Sequence, residues 1–295
     1  MKAALVLMAA GLGRRYGGCK QLDGVGPNGE ILMEYAVHDA VNAGFSVLVF
    51  IIKEDMRRWM EDFCAARLGW DIEIRYAVQS MEDAPYGRVK PYGTVHALLC
   101  AECCTDMPFT VINADDYYGP DAFRKAMAGL EAINGRENKC IAVPYLLKNT
   151  LSPNGTVARA LFESSDGRLE SVREIRRIGI LPDGTVADTS TGEILDPEVP
   201  VSMNMWGFGP GIFDLFREEF SEFMAATDNG RKDEELPIPV AVNSLMKKGR
   251  LEIGLLPTDG AWFGVTYRED RAAVAEKLVQ LHAEGLYPQK LNGKI

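Results

Sequence analysis

The chain has 295 residues, of which 47% are hydrophobic and 25% are charged. This is the composition of an ordinary folded protein, and it excludes a disordered, collagen-like or disulfide-stapled chain. With 32 basic and 42 acidic residues, the formal net charge is −10, which argues against nucleic-acid and anionic-membrane partners because both bind large basic surfaces.

The first ten residues combine one lysine, an apolar run and small residues, as a secretory signal does. The run is short and Arg14 and Arg15 follow it, whereas such signals usually span about 15–30 residues. No stretch approaches the roughly 20 apolar residues of a membrane span. We therefore predict a buried strand in this segment and a cytoplasmic protein.

The six cysteines are sparse for a chain of this length. Cys100, Cys103 and Cys104 share one stretch, but the three histidines are scattered, and a zinc site needs a second pair of ligands at close spacing. We predict reduced, structural thiols on a helix, since free cysteine buries readily.

The first 150 residues alternate apolar runs typical of buried strands with stretches of helical spacing. This pattern predicts βαβ units on a mainly parallel sheet. The predicted strands cover residues 3–8, 46–52, 71–78, 109–113 and 139–147, and the predicted helices cover residues 31–40, 54–68, 94–104 and 118–133.

The pattern changes after residue 150. Residues 156–162 and 169–175 indicate an antiparallel hairpin, with Asp166-Gly167 at its turn. Further predicted elements are a strand at 201–208, helices at 211–224 and 240–248, a strand at 251–256 and a closing helix at 269–284. We predict one α/β domain, with three α/β/α layers, a mainly parallel mixed sheet and a small β-rich insertion, in parts 1–150, 151–208 and 209–295.

A glycine-rich turn follows the first predicted strand, and its backbone N–H groups suit a phosphate. It matches neither the dinucleotide fingerprint, because residue 16 is Tyr16, nor the P-loop, because Cys19 precedes the lysine and no Ser or Thr follows it. The turn instead concentrates three cations without an acid, namely Arg14, Arg15 and Lys20.

Residues 9–15 (AAGLGRR) and 19–22 (CKQL) resemble the signature loop of the nucleotidyltransferases that make nucleotide sugars from sugar-1-phosphates. That loop has the pattern A-A-G-x-G-T-R followed by P-K or S-K-Q-L, so that Arg14 here replaces a threonine. The resemblance implies that Arg15 and Lys20 neutralise the departing pyrophosphate. It also implies that the triphosphate is held by Ala10, Gly11, Gly13 and Arg14.

Two later segments continue the resemblance on the nucleotide side. Residues 76–79 (YAVQ) and 91–97 (PYGTVHA) are similar to the segment in which the family contacts the base, which implies roles for Gln79, Gly93 and Thr94. Residues 80–90 are inserted between these segments, as a lid, a specificity loop or a surface excursion.

Residues 111–119 (VINADDYYG) end a predicted strand in two aspartates. Strand-end carboxylates lie where open α/β sheets bind ligands, and Mg²⁺ prefers hard oxygen donors. The resemblance implies that Asp115 is the metal ligand. Asp116 is a second candidate for that role, with a helix N-cap as its alternative.

The sugar-phosphate half resembles the family through Gly155, Glu174 and Asn204. The family has a lysine directly after the glutamate, but this chain has Ile175. One of two neighbouring arginines, Arg173 or Arg176, is the candidate replacement, since arginine binds phosphate bidentately.

A late W-x-D-x-G-T segment supplies the family's second metal ligand, and here the aspartate position is Gly264. Either Asp259, Asp270 or Asp116 replaces it, or one Mg²⁺ held by Asp115 suffices.

The resemblance implies an enzyme that transfers NMP from an NTP, with a pyrimidine favoured, to a sugar-1-phosphate and releases pyrophosphate with Mg²⁺. The alternatives are a cytidylyltransferase for an alcohol phosphate such as phosphocholine, and a non-catalytic nucleotide-binding regulatory subunit. A glycosyltransferase would need a D-x-D motif, which the adjacent Asp115 and Asp116 do not supply. A homo-oligomer is compatible with the sequence.

Overall fold

The structure is a computed structural model that describes residues 1–11, 24–81, 90–134, 136, 138–226, 234–265, 267 and 269–291. Its first half alternates strands and helices, as predicted. In chain order the elements are β1 (Ala4–Met8), α1 (Leu32–Ala43), β2 (Val47–Ile52), α2 (Arg57–Arg67), β3 (Glu73–Val78), α3 (Thr94–Cys100), β4 (Phe109–Asn113), β5 (Asp116–Tyr117), α4 (Pro120–Ile133), β6 (Lys139–Ala142) and β7 (Tyr145–Leu146).

The second half begins with the predicted hairpin. Its turn residues Asp166 and Gly167 have φ values of 49° and 74°, which explains the Asp-Gly pair, because a two-residue turn of this kind needs positive φ at both positions. The elements are β8 (Val157–Ser165), β9 (Arg168–Ile180), β10 (Val186–Asp188), β11 (Pro200–Ser202), β12 (Trp206–Phe208), α5 (Ile212–Ala226), α6 (Ile238–Lys247), β13 (Glu252–Leu255), β14 (Phe263–Gly264) and α7 (Asp270–Ala283).

One large sheet runs through both halves in the order β3-β2-β1-β4-β12-β6-β13-β9-β8-β11-β7. From β3 to β13 every strand runs in the same direction except β12, which is antiparallel to both of its neighbours. The predicted mixed, mainly parallel sheet is confirmed for this central part. The β8–β9 hairpin extends the same sheet in antiparallel fashion.

Helices cover both faces of the sheet. In β1, Leu5 and Leu7 pack with α1, α2 and α4, whereas Ala4 and Val6 pack with α3, α5 and α6. All four side chains are fully buried, and each Leu or Val buried in this way contributes about 1.5–3 kcal/mol. The three-layer arrangement is therefore confirmed, and the apolar N-terminal run is a central strand. Within the described ranges, no helix combines the length and the apolar character that crossing a membrane requires.

Two predicted strands are each divided in the structure. The continuous strand predicted over residues 201–208 is wrong, because Asn204 adopts a φ of 62° and turns the chain between β11 and β12. As a result, β11 pairs with β7 and β8, whereas β12 lies between β4 and β6. The strand predicted over residues 139–147 likewise separates into β6 and β7 around Pro144, which has no N–H to donate.

The helix predicted from residue 118 begins at Pro120. Gly119 precedes it with a φ of 77° and is its N-cap residue. Asp116 lies in β5, so its alternative interpretation as a helix N-cap is wrong.

The described cysteines, which are Cys64, Cys100, Cys103, Cys104 and Cys140, are free thiols. The helix predicted to carry three of them stops at Cys100, and a 3-10 turn covers Glu102–Cys104. Burial raises the pKa of Cys64 to about 11, which keeps this thiol protonated and unreactive at neutral pH. These thiols are free, as predicted; Cys64 and Cys140 are buried, whereas Cys103 is exposed.

Candidate active site

The carboxyl ends of parallel strands bring three predicted segments to one edge of the sheet. Met8 at the end of β1 is in register with Asn113 at the end of β4. The Ala9 N–H donates to the Ile51 carbonyl of β2 at 2.9 Å, and the Gln79 N–H donates to the Ile52 carbonyl at 2.8 Å. Gly11, Gln79 and Asp115 therefore follow the same edge, which is where open α/β sheets bind their ligands.

Part of the glycine-rich turn can be placed. Ala10 is buried and Gly11 is exposed at the end of β1. Gly13, Arg14, Arg15 and Lys20 lie outside the described residues, as do residues 82–89 of the predicted insertion. Their predicted roles remain predictions.

The two aspartates differ in their surroundings. Asp115 is partly exposed in a turn, whereas Asp116 is only 7% exposed. The Asn113 amide Nδ2 donates to Asp116 Oδ2 at 2.7 Å. Both carboxylates act on the phenol of Tyr118, whose pKa is raised mainly by complete burial and further by Asp116 and Asp115.

Asp116 lies directly against Gly264. The short strands β5 and β14 are antiparallel, with Asp116 and Gly264 in register. A Cβ added to Gly264 would lie 2.5 Å from Asp116 Oδ1. The Asp116 carboxylate therefore occupies the space beside the position where the resemblance expects another aspartate.

The other two candidate replacements have different surroundings. Asp270 accepts hydrogen bonds from Ser152 Oγ at 2.9 Å, Asn154 Nδ2 at 2.8 Å and the Tyr267 N–H at 2.7 Å. These bonds tie the start of α7 to a neighbouring loop and occupy both carboxylate oxygens. Asp259 is exposed on the surface.

A cleft opens beside this edge, over β8, β9 and β11. Ala160 is in register with both Glu174 and Ser202, and side chains in register point to the same face of a sheet. The lining residues are Thr94, Ala158, Arg159, Ala160, Glu174, Ser202, Asn204, Pro237 and Pro239. The structure thus brings together Glu174, Asn204 and Thr94.

Gly155 and Arg176 are not among the lining residues of this cleft. A Cβ on Gly155 would lie 2.5 Å from the Tyr267 hydroxyl oxygen, which donates to the Thr156 carbonyl at 2.6 Å. Arg176 is exposed on β9. Packing against Tyr267 therefore explains why residue 155 is a glycine, without any contact to the cleft.

The segment predicted to contact the base is anchored to the loop before α6. Gly93 has a φ of 98°, and a Cβ there would lie 2.7 Å from the Leu236 carbonyl oxygen. The neighbouring Thr94 Oγ1 accepts a hydrogen bond from the Ile238 N–H at 2.8 Å. Gln79 Nε2 lies 3.3 Å from His96 Nδ1 in α3. These contacts fix the geometry of Gln79, Gly93 and Thr94 relative to one another.

Sequence reasoning predicted Asn204 as a site residue but missed Asn113, the amide that links it to Asp116. Asn204 Nδ2 donates to Asn113 Oδ1 at 3.3 Å, and Asn113 donates in turn to Asp116. Asn204 is held by its own N–H, which donates to Ser202 Oγ at 3.1 Å. The available signal was a polar residue, Asn113, at the end of a strand whose other residues are buried.

Sequence reasoning also missed Arg159 of β8. Its guanidinium donates to Thr150 Oγ1 from Nε at 3.1 Å, to the Thr150 carbonyl and to the Ala158 carbonyl at 2.8 Å, and it stacks 5.0 Å above the Trp262 ring. Burial lowers the pKa of Arg159 to about 10, and the carboxylate of Asp116 opposes this change. The group remains a cation at neutral pH.

The sequence matches no protein-family model and no curated protein. Three solved structures resemble the chain over nearly its whole length. The inositol-1-phosphate CTP transferase from T. maritima has 13% identity and a TM-score of 0.64, over 94% of this chain and 96% of its own. A UDP-glucose pyrophosphorylase complexed with UDP-glucose has 17% identity and a TM-score of 0.62, over 95% and 99%.

The third structure is a protein from Bacillus anthracis assigned as a glucose-1-phosphate thymidylyltransferase and solved with sucrose. It has 15% identity and a TM-score of 0.66, over 99% of this chain and 100% of its own. The chain therefore has the fold that these three proteins share.

Proposed function

We propose that this protein is a nucleotidyltransferase, which transfers NMP from an NTP to a phosphorylated sugar or polyol and releases pyrophosphate. The observation that carries the proposal is the convergence of Gly11, Gln79 and Asp115 on one edge of the sheet, beside the cleft lined by Glu174 and Asn204. The three solved structures with this fold support it, since their names join a nucleotide to inositol-1-phosphate, glucose or glucose-1-phosphate.

In the proposed reaction, a phosphate oxygen of the acceptor attacks the α-phosphorus of the NTP in line with the departing pyrophosphate. No general base is needed, because the acceptor phosphate is already ionised. Such transfers depend mainly on positioning and charge neutralisation. Arg15 and Lys20 neutralise the pyrophosphate in this proposal, and the loop residues that hold the triphosphate are Ala10, Gly11, Gly13 and Arg14.

The two substrates occupy different ends of the site in this proposal. Gln79, Gly93 and Thr94 contact the base, and a pyrimidine is favoured. Glu174 accepts hydrogen bonds from acceptor hydroxyls, and Asn204 lies between the acceptor and the metal ligands.

In this proposal Asp115 and Asp116 would hold a Mg²⁺ ion, which would neutralise charge on the phosphates. One oxygen of Asp116 accepts from Asn113, while the other faces Gly264, where only a residue without a Cβ leaves it room. Across the described residues, His, Cys, Asp and Glu form no group of three or more that could hold a metal. Two carboxylates completed by phosphate oxygens and water are the coordination that Mg²⁺ commonly adopts.

The proposal is tested by pyrophosphate release over a matrix of the four NTPs and dTTP against glucose-1-phosphate, inositol-1-phosphate and phosphocholine. We expect Mg²⁺-dependent turnover with a sugar or polyol phosphate, and loss of at least about 100-fold in the Asp115→Asn variant with unchanged unfolding. Turnover only with CTP and phosphocholine would favour the alcohol-phosphate alternative. Tight nucleotide binding without any pyrophosphate would contradict the enzyme and favour the non-catalytic subunit.

A further inference from the structure

The position expected to carry a cation for the acceptor phosphate carries none. Ile175 stands where the resemblance expects a lysine, and its side chain is 4% exposed within the core. Of the two candidate replacements, Arg173 forms a bidentate pair with Glu193 at 2.7 and 2.8 Å on the surface. Arg176 is exposed and does not line the cleft.

Arg159 lies directly across from Ile175. The two residues are in register in the antiparallel β8–β9 pair. Residues in register on neighbouring strands project from the same face, with Cβ atoms about 4.5–5.5 Å apart. Arg159 therefore leaves the sheet beside the position where the lysine is missing.

The guanidinium of Arg159 is held in place by uncharged groups. Three of its N–H groups donate to Thr150 and Ala158, and Trp262 covers one face. Over the part of the chain that the structure describes, no carboxylate forms an ion pair with it. Burying a cation without a counter-charge is costly, and a planar guanidinium with two remaining N–H groups suits a phosphate.

Asp116 and Trp262 connect Arg159 with the metal candidates. Asp116 is the carboxylate whose charge acts on the guanidinium, and Trp262 contacts both Arg159 and the Gly264 region. Arg159 lines the cleft of Glu174 and Asn204, and its guanidinium also lines a neighbouring cavity with Thr150, Trp262 and Gly264. The cation thus stands between the metal candidates and the acceptor cleft.

We propose that Arg159 binds the phosphate group of the acceptor and takes the place of the cation absent at position 175. This inference rests on the proposed function. It assigns the acceptor phosphate to a residue on β8 rather than to Arg173 or Arg176 on β9.

Steady-state kinetics with each substrate varied separately test the assignment. In Arg159→Met, the KM for the acceptor phosphate rises at least about tenfold, because charge-assisted hydrogen bonds are lost, while the KM for the NTP changes less than twofold. Arg159→Lys keeps the charge and recovers part of the loss. Arg177→Met, which removes an exposed arginine of the same hairpin, leaves both constants unchanged.

A second variant separates phosphate binding from a structural role of Arg159. Adding Ile175→Lys to Arg159→Met returns a cation from the neighbouring strand, and the acceptor KM falls back toward the wild-type value. Were Arg159 needed only to hold the Thr150 carbonyl, this lysine would not restore the KM. An increase of acceptor KM in Arg176→Met with none in Arg159→Met would also overturn the assignment.

Binding of inorganic phosphate, followed by ³¹P NMR line broadening, distinguishes failure of this inference from failure of the proposed function. We expect the wild type and Arg177→Met to bind phosphate and Arg159→Met to lose it. If the wild type binds phosphate, Arg159→Met does not, and no substrate pair gives turnover, the inference stands and the proposed function is refuted. If the wild type turns over and Arg159→Met has an unchanged acceptor KM, the proposed function stands and the inference is refuted. A wild type that neither turns over nor binds phosphate would overturn both.

Discussion

Replacing Gly264 by alanine tests the packing that positions Asp116. The new Cβ would lie 2.5 Å from Asp116 Oδ1 and 3.4 Å from the Trp262 ring. The carboxylate would have to retreat by about 1 Å, and a misplacement of that size in an active site lowers turnover by roughly 100-fold. The retreat also strains the 2.7 Å hydrogen bond from Asn113, so we expect a loss of about 1–3 kcal/mol in the free energy of unfolding.

The assay combines pyrophosphate release over a Mg²⁺ titration, Mn²⁺ binding by electron paramagnetic resonance, and urea unfolding. Gly254→Ala is the matched control, because the nearest atoms to its Cβ are 3.9 Å away. In Gly264→Ala we expect lower kcat, weaker Mn²⁺ binding and a higher Mg²⁺ requirement, with no such changes in the control. Wild-type kcat and Mn²⁺ affinity in Gly264→Ala would refute the reasoning that Asp116 must keep its position.

A double variant that moves the carboxylate across the same strand pair extends this test. In Asp116→Gly with Gly264→Asp, the carboxylate moves from β5 to the position in register on β14. We expect this double variant to bind Mn²⁺ more tightly than Asp116→Gly alone. No gain over the single variant would show that a carboxylate at 264 cannot serve the metal.

Two further predictions concern stability. Gly93→Ala should lower the free energy of unfolding by about 1–3 kcal/mol, because its φ of 98° and the Leu236 backbone 2.7 Å away both oppose a side chain; a urea midpoint equal to that of wild type would contradict this. Tyr287→Phe should destabilise the fold increasingly as pH rises. Burial raises the pKa of Asp39 and the Tyr287 hydroxyl lowers it by donating at 2.8 Å, so the lost bond costs most once Asp39 is ionised. Urea unfolding at pH 5 and pH 8 measures this, and an equal loss at both values would refute it.

The sequence predicted those features that depend on local pattern. The run at residues 3–8 is apolar at every position, and such a run before a glycine-rich turn is typical of a strand buried on both faces. Asp166-Gly167 matched its turn because the turn needs positive φ at both residues. The mainly parallel sheet and its three-layer arrangement followed from these local patterns and the general rules for βαβ units.

Other features depend on contacts between distant segments, which a local sequence pattern does not predict. The break at Asn204 follows from the separate pairing of β11 and β12 with distant strands, and asparagine tolerates the positive φ that this requires. The Asn113–Asp116 bond places a strand end beside a turn. Sequence spacing alone predicts neither contact.

At two positions this chain lacks a charged residue that the family resemblance predicts, and the structure around the two positions is similar. At position 264 the expected aspartate is a glycine, and the residue in register across the strand pair is Asp116. At position 175 the expected lysine is an isoleucine, and the residue in register is Arg159. In both cases a charge of the expected sign projects from the neighbouring strand into the same region, because cross-strand neighbours share one face within about 5 Å. A binding site depends on where charges lie in space. When this chain is aligned with the family pattern by sequence, an aspartate and a lysine are missing. When residues are compared across paired strands, Asp116 and Arg159 are candidates to replace them. The two proposed double variants, which move each charge back across its strand pair, test this single argument at two independent places.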